Sequence, residues 1–153
     1  MVTLELILVL PIFVIALMAM VQFGLLFSHQ QRLEMASRVG AKVASETTLP
    51  DIATDPIPTE ILDAINRELS NSNITVGRVI LQHNVGIDPP NTWTSGTLNC
   101  PAPTTPPLPT SRQYVRVTVC AETTQLAPNL LKTYGFDLSG RVSQQTTTLR
   151  YDQ

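Results

Sequence analysis

The chain is poor in most of what chemistry needs. Its 153 residues contain two histidines, two cysteines and one tryptophan, and its formal net charge is only −2. Neither sign of charge dominates, which argues against a nucleic-acid surface or a polybasic lipid-binding patch. His29 and His83 stand far apart, no glycine-rich phosphate loop is present, and no cysteine is free to act as a nucleophile, so catalysis finds no footing. Cys100 and Cys120 lack a second pair or a histidine cluster, which excludes a structural zinc site. They are expected to form a disulfide. Closing a loop of about 20 residues is worth roughly 3 kcal/mol, useful to a domain this small. No cofactor or metal is expected.

Charge is scarcest at the N-terminus, where Glu5 is the only ionisable side chain before His29. From Leu6 to Phe27 the sequence is apolar except for Gln22. These 22 residues span about 33 Å as a helix, enough for a hydrocarbon core of about 30 Å. The run is too long for a cleaved secretory signal and lacks its basic start and small-residue exit, so a retained membrane helix is expected. Pro11 is read as a kink, which membrane helices accept. A carboxylate such as Glu5 costs about 2.5–3.5 kcal/mol at full bilayer depth and asks for a partner. The nearest amine is that of Met1, four residues earlier. It is awkwardly placed for Glu5 of its own chain, whereas the Met1 of an axially shifted neighbouring copy can meet that carboxylate inside a bundle of apolar helices. That pairing makes the chain a polymer subunit; the plainer alternative is a single-pass anchor.

The stretch Leu4-Glu5-Leu6-Ile7-Leu8-Val9-Leu10-Pro11, followed by Gln22-Phe23-Gly24 and by Arg38-Val39-Gly40-Ala41, resembles the TadE-like family of type IV pilins and pseudopilins of the tight-adherence pilus system. Gln22 and Val39 stand where many relatives carry glutamate, so this helix bears fewer charges. The resemblance covers about the first 45 residues. It implies removal of a leader by a prepilin peptidase just before Met1, with Glu5 at the offset such pilins use. Without a removed basic leader, Arg32, Arg38 and Lys42 after the span would place the C-terminal part in the cytoplasm. The resemblance further implies residence in the inner membrane before assembly and in an extracellular surface filament afterwards. The implied partners are copies of the chain or related pilins, an assembly ATPase with its inner-membrane platform, and an outer-membrane pore.

Residues 1–48 are expected as one long helix, with 1–27 forming the membrane or filament core and 28–48 amphipathic. Leu33, Ala36, Val39 or Gly40, Val43 and Ala44 recur at three- and four-residue steps, while Arg32, Glu34, Arg38, Lys42 and Glu46 form a solvated face. Leu49-Pro50 ends the helix. Residues 49–153 are expected to form a globular domain. Pro58 and Thr59 open a second helix with a stripe of Ile61, Leu62, Ile65 and Leu69, ending at Ser70-Asn71-Ser72-Asn73. Asp51, Asp55, Glu60 and Asp63 gather at its start, where carboxylates suit unpaired amides better than any calcium-loop spacing.

Alternation then sets in. Val79, Leu81 and Val85 form one face of a strand that starts near Ile74, and Tyr114 to Ala121 is a cleaner strand. A short helix is expected from Gln125 to Tyr134 and a closing strand within Leu138 to Tyr151. Gly86 to Arg112, with Pro89-Pro90 and the proline- and threonine-rich run from Pro101 to Thr110, reads as an extended surface loop tethered by the disulfide. Its threonines are compositional candidates for O-glycans, and Trp93 serves either to anchor it or to bind a ligand. Asn73-Ile74-Thr75 matches a glycosylation sequon, a pattern common by chance. The expected fold is α+β, a long hydrophobic N-terminal helix packed by a small antiparallel sheet with one or two short helices. The competing functional class is a membrane-anchored extracytoplasmic binding or assembly module that does not polymerise.

Overall fold

A computed structural model describes residues 2–48, 52, 56–85, 90–101, 107–109 and 112–151, the side chains of residues 2–5 excepted. One helix, α1, runs from Val2 to Glu46, about 68 Å of continuous helix. The helix continues through Pro11. After it come α2 (Thr59–Ser70), β1 (Arg78–His83), β2 (Asn91–Gly96), β3 (Tyr114–Glu122), the single turn α3 (Thr123–Leu126), a 3₁₀ turn (Lys132–Tyr134) and β4 (Val142–Arg150). The four strands make one antiparallel sheet in the order β2-β1-β3-β4. This is the α+β arrangement that the periodicities predict.

The period of each segment accounts for its place. In β1, Val79, Leu81 and His83 turn to one face of the sheet, where they are joined in register by Val115, Val117 and Val119 of β3. Onto that face packs the second half of α1 through Leu33, Ala36, Ala41 and Ala44, all fully buried. The helix stripe uses Gly40, which is buried, and leaves Val39 exposed. The choice has a steric cause, because a Cβ at Gly40 would stand 2.8 Å from both Cγ1 and Cδ1 of Ile65. Glycine lets α2 approach closely, with Ile61, Ile65 and Leu69 fully buried in the same core. Arg32 lies 3.9 Å from Glu68 while Gly40 meets Ile65, so the two helices run antiparallel.

The first strand begins at Arg78 rather than near Ile74 and ends at His83, short of Val85, and two further expectations need correction. Gly86–Arg112 is not a loop throughout, because Asn91–Gly96 pairs along the whole of β1, with Trp93 opposite Leu81. The prolines flank these six residues without entering them, and Thr92, Trp93 and Thr94 suit a pleated surface. Gly96, at φ +102°, closes the strand in a conformation that a side chain would strain. The second correction concerns Gln125–Tyr134, which is not one helix. Pro128 disfavours helical geometry at Ala127, whose φ and ψ are −150° and 145°, so the chain stops after Leu126 and resumes as the 3₁₀ turn six residues later. Leu49-Pro50, Asp51 and Asp55 lie outside the described residues, as does most of the proline-rich run; α1 itself ends at Glu46.

Candidate functional site

The part of the molecule that the domain leaves bare is the first half of α1. From Leu6 to Val21 no side chain is buried, and exposure is found all round the helix: Ile7 is 72% exposed, Leu8 67%, Phe13 61% and Met20 71%. The most apolar 18-residue window has a mean hydropathy of 2.7 with 6% of it buried. That second number separates it from the core helix of a water-soluble domain, which would be mostly buried. A helix apolar on every side is stable only when surrounded by lipid or by other apolar surface. Leaving its leucines and phenylalanines in water would forgo about 1.5–3 kcal/mol each.

At Gln22 the surroundings change within one residue. Gln22 is fully buried, and its Oε1 accepts the backbone N–H of Leu131 at 2.9 Å. Its Nε2 is buried without a partner among the described residues. Phe23 meets the ring of Phe136 with centroids 5.3 Å apart. About two turns further up, the His29 ring donates from Nδ1 to the Leu126 carbonyl, and about two turns beyond that Ser37 Oγ is 2.8 Å from Thr147 Oγ1. Near the helix end the Tyr151 hydroxyl donates to the Thr47 carbonyl at 2.8 Å. Polar pins thus fasten the domain to one long edge of α1 from Gln22 to Thr47. The domain descends along the helix six residues further than Ser28, the start of its expected amphipathic part.

The segment that reaches Gln22 is itself well fixed. The Asn129 amide donates to Asp137 Oδ1 at 2.6 Å, and Asp137 also accepts from the backbone N–H of Ser139 at 2.8 Å. These bonds, the Ser139 amide first, hold the Asp137 carboxyl well below the usual carboxylate range. Lys132 adds an ion pair at 3.7 Å.

Other residues singled out in the sequence fall as follows. The helical backbone of α1 includes Glu5, while its side chain and Met1 lie outside the described residues. Cys100 and Cys120 are bonded, with Cα atoms 6.4 Å apart, and pack with Ile80 in a small apolar cluster on the sheet face away from α1. Trp93 is half-buried against the main core, which supports anchoring. His83 is fully buried beside Val115, with neither ring nitrogen paired among the described residues, and burial lowers its pKa. On the solvated face of α1, Glu34 accepts from Arg38 at 2.6 Å, a pair one turn apart on the same helix. Among the described residues no three His, Cys, Asp or Glu side chains converge as a metal site. A surface cleft of about 140 Å³ between α2 and the β1–β2 edge is lined by Leu62, Asn66, Val76, Val79, Ser95 and Gly96, none of them titratable.

Sequence reasoning missed the roles of Gln22 and His29 as pins for the domain. The available signal was a lone glutamine within an apolar run, where an amide is costly unless bonded. Its partner, a backbone N–H 109 positions away, left no trace in the local pattern.

The family model of TadE-like proteins matches residues 1–42, which take in the bare half of α1 and most of the seat. No characterised protein and no solved structure matches the chain. The N-terminal segment of this chain, through the helix that carries the exposed apolar surface, is thus similar to that of TadE-like proteins.

Proposed function

We propose that the chain is a structural subunit, a pilin or pseudopilin, of a tight-adherence surface filament. The observation that carries this reading is the all-round exposure of Leu6–Val21 on a helix continuous with the domain's own core helix. Such a helix needs one apolar environment before assembly and another afterwards, which a bilayer and a bundle of sister helices supply in turn. Because the domain, among the described residues, holds α1 from Gln22 onward, the bare half can leave the bilayer without the domain unfolding. The TadE-like match over residues 1–42 supports the same role, structural rather than catalytic.

In this reading Glu5 enters the bundle as a carboxylate and pairs with the Met1 amine of an axially displaced neighbour. A buried charge left single is costly, so the pair acts chiefly by penalising wrong registers. Pro11 bends or locally loosens the helix between the pair and the rest of the bundle. The prepilin peptidase, assembly ATPase, platform protein and outer-membrane pore are the partners such assembly requires.

The test is Glu5→Gln. Membrane insertion and domain folding are expected to be unchanged, while the yield of protein in sheared surface filaments falls at least about tenfold, the effect of roughly 1.4 kcal/mol per assembly step. Undiminished filaments would refute the charge-pair mechanism. Protein that never leaves the membrane fraction, in wild type as in variant, would favour an anchored module that does not polymerise.

A further inference from the structure

We infer that the segment from Leu130 to Phe136 is a membrane-contacting tip of the globular domain, seated in the interface of the bilayer that holds α1. The inference rests on the reading of α1 as a membrane helix before assembly.

The contacts along α1 give the height of the segment. Leu126 is held at the level of His29, Leu131 at the level of Gln22 and Phe136 at the level of Phe23. Between Leu126 and Leu131 the chain therefore descends about seven helix residues, roughly 10 Å, towards the bare half of α1. The 3₁₀ turn Lys132–Tyr134 connects the two lowest contacts and forms the tip.

The helix beside it remains apolar above that level. On the side of α1 away from the domain, Phe27 is 62% exposed. A bilayer that covers the run to Phe27 on the free side meets the tip on the other. Below the tip, Val2–Val21 supplies about 30 Å of helix, the thickness of a hydrocarbon core. Either placement of the bilayer brings its interface to the turn.

The side chains suit that depth. Tyr134 is 60% and Leu130 38% exposed, an unusual display of large apolar surface on a domain whose other large hydrophobics are mostly buried. Phe136 packs beside the turn against Phe23 with the two rings tilted. Tyrosine presents an apolar ring with a polar end to the headgroup region, and the Lys132 ammonium, with its side chain 62% exposed, can reach outward to lipid phosphate while its stem lies along the surface. The bonds of Asp137 to Asn129 and Ser139 hold the turn in shape. The tip thus fixes the height of the domain over the bilayer, and its apolar side chains are released when α1 is extracted.

The experiment uses the full chain in phosphatidylcholine–phosphatidylglycerol vesicles, with one nitroxide at a time on an introduced cysteine; the native cysteines are bonded to each other and do not compete. The sites are Thr133→Cys at the tip, Ile12→Cys in the bare helix and Glu60→Cys at the start of α2, the end of that helix remote from the tip. Collision with oxygen and with a water-soluble nickel chelate is read by power saturation. The Thr133 label is expected to lose nickel collisions and gain oxygen collisions relative to the Glu60 label, at a depth between it and the Ile12 label. A Thr133 label that matches the Glu60 label while the Ile12 label lies deep would overturn the inference and leave the membrane helix standing. If the Ile12 label also matched the Glu60 label, the membrane reading would fail and the tip with it.

Discussion

Two buried polar side chains carry consequences out of proportion to their size. Gln22 satisfies one buried amide and leaves its own Nε2 without a partner among the described residues. Gln22→Leu removes that orphan nitrogen and also strands the Leu131 N–H, whose loss costs about 1–3 kcal/mol. The expected result is a small change in global stability with much faster hydrogen exchange at Leu131, since the seat loosens before the core does. His83 is the reverse case, a histidine held neutral in an apolar core by desolvation. Its folded pKa lies below the ordinary 6.5, so the unfolded chain binds the extra proton first as pH falls. Stability is therefore full above about 6.5 and declines as pH drops below it towards the folded value. His83→Leu is expected to flatten that decline in denaturant titrations between neutral and mildly acidic pH, and to add about 1 kcal/mol near neutrality by removing two unbonded nitrogens. The unusual composition of both sites is legible in the sequence. Their partners are not, because Leu131 and Val115 come from distant segments brought close only by folding.

The elements follow from local pattern wherever one face is buried and the other wet. The α1 stripe, the α2 stripe and the alternation of β1 and β3 all have that form, and each reads out of periodicity. β2 did not, because prolines on both sides masked a six-residue strand whose stability comes from pairing with β1 rather than from its own pattern. The split after Leu126 turned on Pro128, which holds Ala127 extended within what would otherwise be a helix from Gln125 to Tyr134. Helix packing supplies the prediction at this scale. Gly40→Ala gains about 1 kcal/mol of helix propensity yet drives a methyl group into Ile65, which is fully buried and cannot move aside. Overpacking costs about 1–3 kcal/mol, so a net loss of about 1 kcal/mol is expected in thermal or denaturant unfolding. Arg38→Ala, on the wet side of the same turn, should differ little from wild type, because its ion pair with Glu34 is exposed.

At the scale of the whole molecule, one helix serves two environments. Its second half is the spine of a domain, with Leu33, Ala36, Ala41 and Ala44 in the core, and its bare first half, Leu6–Val21, contributes nothing to that core. A chain that begins at Gln22 is therefore expected to be a water-soluble, folded monomer with the sheet and the Cys100–Cys120 bond intact, checked by circular dichroism and sedimentation. Removing residues through Leu33 takes away the Gln22 and His29 pins and a fully buried leucine, and is expected to leave an unstable, aggregating domain. The same division supports extraction of the helix from a bilayer as a rigid movement that leaves the domain folded.

By itself the sequence determined the length and apolarity of the first helix, the isolation of Glu5, the α+β succession and the cysteine pair, because these depend on residue type and on spacing along the chain. Only the tertiary structure decided where bare helix gives way to seated helix, that Gly40 rather than Val39 faces the core, and that the turn at Lys132–Tyr134 reaches down to Gln22. Hydropathy measures how apolar a segment is and takes no account of what covers it. Gln22 and Phe27 belong to one apolar run, and contact with a segment more than a hundred residues away is what places the first beneath the domain and leaves the second exposed.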